Sequence, residues 1–272
     1  MASASTVFNQ GSLGRSLSKT LLVYFKEAKY EFLTRLRLRA YSISTISFPV
    51  MFYVLFGLVL NPKDAPLGGT TVAAYSIATF GTFGVMGASL FGTASGLAAE
   101  RGLGWLQVKR ASPMPPFAYF AAKVALGMTF STIVVLLLLL LAFTFGGVHL
   151  PLLDAAKLVV ILAAGSLPFC VMGLAIGYFV GPNSAVAAIN LIYLPLSFCS
   201  GLWVPLMFLP KVLQHIAHFL PPYHLAQLAL GVVGAGQHES NWFHWEALIG
   251  FSLICLGAAR LGFQRDEGQS YG

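Results

Sequence analysis

Glu100, Arg101, Lys109 and Arg110 stand together in AAERGLGWLQVKRASPMPPFAYF, Ala98 to Phe120, an island between two long apolar runs. Only 9% of the chain is charged, so this clustering points to the chemistry of contact: ion pairs and apolar anchors shown to a partner. Other reactive residue types are scattered. His215 and His218 share an i, i+3 helical face, yet no carboxylate or cysteine joins any of the six histidines at ligand spacing, so no metal site is expected. Cys170, Cys199 and Cys255 lie inside apolar runs, where cysteine packs as a small apolar side chain. A phosphate-cradling GxxxxGK[ST] loop is absent; Ser18-Lys19-Thr20 comes nearest and lacks the glycine before lysine.

The elements that must carry the island are membrane-spanning helices. With 57% hydrophobic residues and mean hydropathy +0.78, the chain reads as an all-α integral membrane protein, each crossing needing roughly 20 apolar residues. Six spans are predicted: Ile43–Leu60, Thr71–Ala94, Phe117–Phe145, Ala156–Val180, Ser184–Leu206 and Phe243–Gly262. The first 40 residues hold no apolar stretch of the kind a cleaved signal needs, so the amino terminus is expected to stay on the chain.

Basic residues set the orientation, because Lys and Arg collect on the cytosolic side of short loops. An inside amino terminus puts Arg15, Lys19, Lys26, Lys29, Arg35, Arg37 and Arg39, the island with Lys123, and Arg260 and Arg265 in the cytosol. Only Lys63, Lys157 and Lys211 are then outside. Both termini and the island become cytosolic. The net charge of +7 reads as this topology plus attraction to anionic lipid, and not as a nucleic-acid footprint. His149, His215, His218, His224, His238 and His244 fall on the outer side or its boundary.

Local patterns refine the picture. Leu17, Leu21, Tyr24, Phe25, Ala28 and Phe32 recur at helical spacing while Lys19, Lys26 and Lys29 fall elsewhere, predicting an amphipathic helix on the membrane surface over residues 17–40. It is expected to bend or rise near Arg35. From Glu100 to Arg110 about three turns of helix are expected, stopped by Pro113, Pro115 and Pro116. Between Met207 and His244 the chain is apolar but broken by Pro210, Pro221, Pro222, Gly231, Gly234 and Gly236; two half-helices dipping in from outside would satisfy its backbone. Gly92/Gly96, Gly173/Gly177 and Gly177/Gly181 form GxxxG pairs, read as helix packing.

No charge sits in the middle of a predicted span, and Asn190 is the clearest polar residue at depth. An ion-coupled carrier, the alternative reading, would need buried titratable groups. An intramembrane serine protease would need a nucleophile with a histidine base in reach. Gly87-Ala88-Ser89-Leu90 approaches the Gly-x-Ser-Gly form such enzymes use, but its fourth position differs and no histidine lies well inside a later span.

Glu100-Arg101-Gly102, Gly104-Trp105-Leu106 and Lys109-Arg110-Ala111-Ser112-Pro113-Met114-Pro115 resemble the coupling-helix signature of type-2 ABC transporter permeases. The extra pair Leu103-Gly104 departs from members whose aromatic or Thr directly follows the first glycine. The resemblance covers nearly the whole chain, including the upstream surface helix, the re-entrant segment (207–242) and the tail GFQRDEG. It implies a single six-span permease domain over 1–272, in a prokaryotic inner or plasma membrane, with the coupling helix at 98–113. Two such subunits, identical or paralogous, would form one path, each docked on a cytosolic ATPase that carries ATP and Mg, with no cofactor on this chain. Contact with the ATPase would fall to Glu100, Arg101, Gly102, Trp105, Leu106, Lys109, Arg110 and Pro113. The Gly181-Pro182-Asn183-Ser184 turn would add a weaker cytosolic contact. Export is the direction implied by the resemblance. A hydrophobic or amphipathic cargo, such as a lipid, drug or peptide, suits a path lined by Phe, Met, Leu and small residues.

Overall fold

The computed structural model describes residues 17–62, 64–112, 114–236 and 240–269. Among these residues the regular structure is helical apart from one two-stranded hairpin. Helix α1 (Leu17–Arg37) ends at Leu38, whose ψ of 85° leaves the helical region. Ser42 then donates its hydroxyl to the Arg35 and Leu36 carbonyls at 2.8 and 3.2 Å, fixing the corner where α2 (Arg39–Phe52) begins. The predicted turn near Arg35 is thus a break three residues later. A π-helical stretch, Tyr53–Val59, extends α2 to a 21-residue apolar helix.

Strands β1 (Pro66–Leu67) and β2 (Thr70–Thr71) pair antiparallel across Gly68 and Gly69. Thr71 caps α3 (Val72–Leu90), accepting from the Ala74 N–H at 3.3 Å. A π-helical turn, Phe91–Ser95, joins α3 to α4 (Gly96–Gly102), so one helix runs 31 residues from Val72 to Gly102. It is the centre of the molecule. Nearly every residue of α3 is buried, which its sequence allows because Ala, Gly, Ser and Thr alternate with Phe, Ile and Val all round its surface, leaving no polar face.

Helix α5 (Trp105–Ala111) is short, and α6 (Pro116–Thr144) packs on both α3 and α1. Helices α7 (Leu152–Ala164) and α8 (Ser166–Phe179) together make one span, interrupted at Gly165. Gly173 and Gly177 press α8 onto the π-helical turn, where a Cβ at Gly173 would strike the Thr93 hydroxyl and one at Gly177 would lie 2.9 Å from the Ala94 carbonyl. A Cβ at Gly181, the outer member of the overlapping pair, would meet only Ser184 Oγ at 3.7 Å.

Helix α9 (Ala185–Cys199) is shorter than the predicted fifth span. Its 15 residues reach about 22 Å at 1.5 Å per residue, less than the roughly 30 Å hydrocarbon core. The chain leaves the helix at Gly201, whose φ of +77° ends the helical run before Pro205. Among the described residues five helices are therefore long and apolar enough to cross a membrane, with α9 a shorter apolar helix. A 3₁₀ turn (Leu206–Phe208), α10 (Lys211–Ala217) and α11 (Pro221–Val232) follow; Pro221 to Leu230 are all buried. Helix α12 (Asn241–Gln269) continues past the predicted Gly262 boundary through the tail. Large apolar side chains on α9 and α12 face outward, among them Leu191, Leu253 and Ile254, as a lipid solvent permits.

Gly173→Val should lower thermal stability by about 1–3 kcal/mol through overpacking against Thr93, whereas Gly181→Ala should leave it within ~0.5 kcal/mol. Thermal unfolding of nanodisc-embedded protein checks both.

Candidate functional site

The island folds as a hairpin of two seven-residue helices and not as the expected three-turn helix. Leu103 and Gly104 donate to the Ala99 and Arg101 carbonyls at 3.0 and 3.1 Å, closing α4. Gly104 has φ +73°, a left-handed conformation with no penalty only for glycine, and its carbonyl accepts from Gln107 to start α5. The pair Leu103-Gly104 is thus the bend. At the far end Ser112 closes α5 by donating to the Lys109 carbonyl at 2.7 Å. Pro113 lies outside the described residues, as does the side chain of Arg110.

Glu100 reaches inward to Lys123 on α6, which is fully buried and also paired with Glu31 of α1 at 2.6 Å. The pairing extends at both ends: Arg35 lies 3.6 Å from Glu31, and Lys109 lies 3.6 Å from Glu100 and 2.7 Å from Glu27. Three cations and three anions alternate from Arg35 to Glu27 and join α1, α4, α5 and α6. Tyr119 adds a ring face 4.7 Å from the Lys109 ammonium and 5.3 Å from that of Lys123. Gly96 leaves room for the network, since a Cβ there would strike the Arg35 guanidinium and sit 3.0 Å from Lys123 Nζ. Burial opposes charge on Lys109, but its hydrogen bond to Glu27 and the charges of Glu100, Glu27 and Glu31 outweigh it and raise its pKa. Lys109 is an ammonium throughout the neutral range.

Arg101, one residue on, points to the other half of the protein. Its Nε donates to Asp266 of α12 at 2.9 Å, and its Nη1 donates to the Gly177 carbonyl at 2.9 Å and the Val180 carbonyl at 3.5 Å. The guanidinium therefore occupies the C-terminal end of α8, where carbonyls lack helical partners and the dipole favours a cation. Leu106 is buried with Leu97, Tyr119, Leu174, Tyr178 and Ala259.

Among the described residues, the large exposed side chains of the tip are mostly apolar. Leu103 is 74% exposed, Trp105 57% and Val108 62%, with Gly102 and Gln107 beside them. Gly102 abuts Pro182, a Cβ there falling 2.6 Å from its Cγ, so the exposed Gly181-Pro182-Asn183-Ser184 turn flanks the tip. Of the residues singled out from sequence, Glu100, Arg101, Leu106 and Lys109 face inward, while Gly102, Trp105 and the turn form the outer face. Leu103, Val108, Lys123, Glu27 and Glu31 were missed. For Lys123 a signal existed: a lysine six residues inside the start of the predicted Phe117–Phe145 span needs an acidic partner.

The other candidate groups are occupied locally. Ser89 is buried and donates to the Val85 carbonyl at 2.8 Å. His215 and His218 each bond, through Nδ1, the carbonyl four residues earlier on or beside their own helix. Buried His224 and His244 meet at Nδ1 across 3.0 Å, a pair not anticipated, and His238 lies outside the described residues. Among the described residues no three metal-ligating side chains come together. Helix α1 splits its apolar stripe: Leu21 and Phe25 are exposed, while Tyr24, Ala28 and Phe32 are partly covered on the side that carries Glu27 and Glu31.

Lys123→Met strands two carboxylates in a closed space and should lower stability by about 3–5 kcal/mol. The triple variant with Glu31→Gln and Glu100→Gln should recover most of that loss in the same nanodisc melting measurement.

Residues 26–233 match the ABC-2 type transporter family. The chain is also 26% identical over 225 residues to a putative transport permease, YvfS, of Bacillus subtilis (strain 168), covering 81% of this chain and 89% of that protein. The family carries its members' transport role as membrane subunits that work with an ABC ATPase. With five helices among the described residues long and apolar enough to cross a membrane, and a family match over most of its length, this chain is a multi-pass membrane protein of the ABC-2 type transporter family.

Proposed function

We propose that this chain is the permease subunit of an ATP-driven exporter, gripped from the cytosol at the α4–α5 tip by a separate ATPase that holds ATP and Mg. The observation that carries the reading is the exposed apolar tip, Leu103, Trp105 and Val108, on a hairpin continuous with the most buried span. A surface of this kind matches the apolar anchors that dominate protein interfaces. Because α4 continues α3 through the π-helical turn, a push at the tip is delivered to the centre of the membrane domain.

In this proposal α9 completes a six-span topology, with both termini and the hairpin in the cytosol of a prokaryotic plasma membrane. Helix α1 lies along the inner surface with Leu21 and Phe25 in lipid. Helices α10 and α11 form the re-entrant cap at the outer end. Two permease subunits enclose the path, and the cargo is hydrophobic or amphipathic, because the charged networks described above lie at the α1–α4–α6 end and leave apolar side chains along the spans. An ion-coupled carrier would respond to a collapsed ion gradient and ignore inactivation of the ATPase.

Trp105→Ala with Val108→Ala should weaken binding of the purified ATPase to nanodisc-embedded permease by on the order of 30-fold, the loss typical of an interface anchor. Titration by biolayer interferometry reads this directly. Unchanged affinity, with the fold intact by thermal melting, would refute the docking surface.

A further inference from the structure

Asp266 belongs to a tail that a permease mechanism centred on the hairpin leaves unused. Helix α12 is 29 residues long, about 44 Å at 1.5 Å per residue, so its last turns extend beyond a hydrocarbon core of roughly 30 Å. Those turns are bound to the protein. Gly262 lets α12 approach α8 closely: a Cβ there would fall 2.5 Å from the Tyr178 Cβ. Phe263 meets the Tyr178 and Phe120 rings edge-on at 6.1 and 6.3 Å, and the Arg265 guanidinium lies 5.7 Å from the Phe179 ring centre. One turn beyond Gly262 on the same face, Asp266 accepts the Arg101 Nε–H, with both side chains about four-fifths buried. Arg101 in turn covers the Tyr178 ring at 5.7 Å and holds the end of α8 through the Gly177 and Val180 carbonyls.

Resting on the ATPase reading above, we propose that Asp266 is a positioning residue for coupling: it holds Arg101 so that motion of the hairpin reaches α8 and α12 as well as α3. The argument is geometric. A guanidinium that serves two carbonyls at a helix end and sits one residue from the exposed tip has several rotamers open to it. A carboxylate on its Nε side fixes one plane and leaves Nη1 for the carbonyls. Without Asp266 the same arginine can leave the α8 end, and the hairpin then answers to the α1–α6 side alone.

The test uses full-length permease bound to its ATPase in nanodiscs, comparing backbone hydrogen exchange across Leu206–Val232 in the nucleotide-free state and after trapping with ATP and vanadate. Asp266→Asn should keep the ATPase bound while reducing the nucleotide-dependent difference in exchange by on the order of tenfold, the scale of one lost charge-assisted hydrogen bond. Asp266→Glu should retain most of it, a rescue that a merely structural role would not require. A full response in Asp266→Asn overturns the assignment. If Asp266→Asn does not assemble, Gly262→Ala carries the test: the added methyl pushes α12 off Tyr178 and withdraws the carboxylate, so the response should again fall, and an undiminished response overturns the proposal. Trp105→Ala separates the two readings. If it leaves ATPase binding and the exchange response intact, the ATPase reading falls; if it abolishes binding while Asp266→Asn responds fully, only the role of Asp266 falls.

Discussion

Two consecutive side chains of opposite sign, Glu100 and Arg101, hold the halves of this protein to one helix end. Successive residues on a helix point about 100° apart, so a carboxylate and a guanidinium side by side must reach different neighbours. Glu100 turns to Lys123, and through it to α1 and α6; Arg101 turns to Asp266 and to the carbonyls that end α8. Neither charge could stay in a half-apolar environment without its partner. The need to satisfy both thus fixes where the long central helix ends and which elements surround its tip.

The consequence is mechanical. Interhelical packing in lipid gains little from the hydrophobic effect, so stiffness comes from close fit and from polar links. Along α3 the close fit is supplied by small residues, and at the Gly173–Thr93 crossing α8 lies almost against the π-helical turn. Below that turn the fit gives way to ion pairs. A widened π-helical turn between a packed segment and a clamped one is where a long helix bends most easily. Rotation of the hairpin would therefore be absorbed or transmitted at Phe91–Ser95 according to whether the clamps on each side hold.

Much of this architecture was legible in the chain. Hydropathy located five of the six predicted spans as helices long enough to cross, because crossing lipid demands length and apolarity that few other structures share, and the island stood out as charge where charge is scarce. The break at Leu38 falls three residues past the bend expected near Arg35. Three features escaped for physical reasons. The end of α9 at Cys199 depends on the positive φ at Gly201, which hydropathy does not encode. The bend at Gly104 was visible only as two surplus residues, since Gly can sit inside a helix or end one. The role of Lys123 required knowing that Glu31 and Glu100, 92 and 23 residues away in sequence, converge on it; separation along the chain hides such a pair, and charge balance alone does not choose the partner.

The same distinction explains why a motif read from sequence mixes two kinds of residue. Glu100, Arg101 and Lys109 look like a charged docking face when drawn on a line, and in the fold their charges are spent on the protein itself. Surface ion pairs contribute little to binding because water competes for them, whereas buried pairs that lose one member are strongly destabilised. The charged members of the motif therefore act as clamps within the fold, and under the proposed function the exposed apolar members, Leu103, Trp105 and Val108, would be the grip. Under the proposed coupling role, the hairpin would separate its two tasks by chemistry: apolar contact would form and release with the ATPase, while the charges that orient the hairpin are paired inside the membrane subunit.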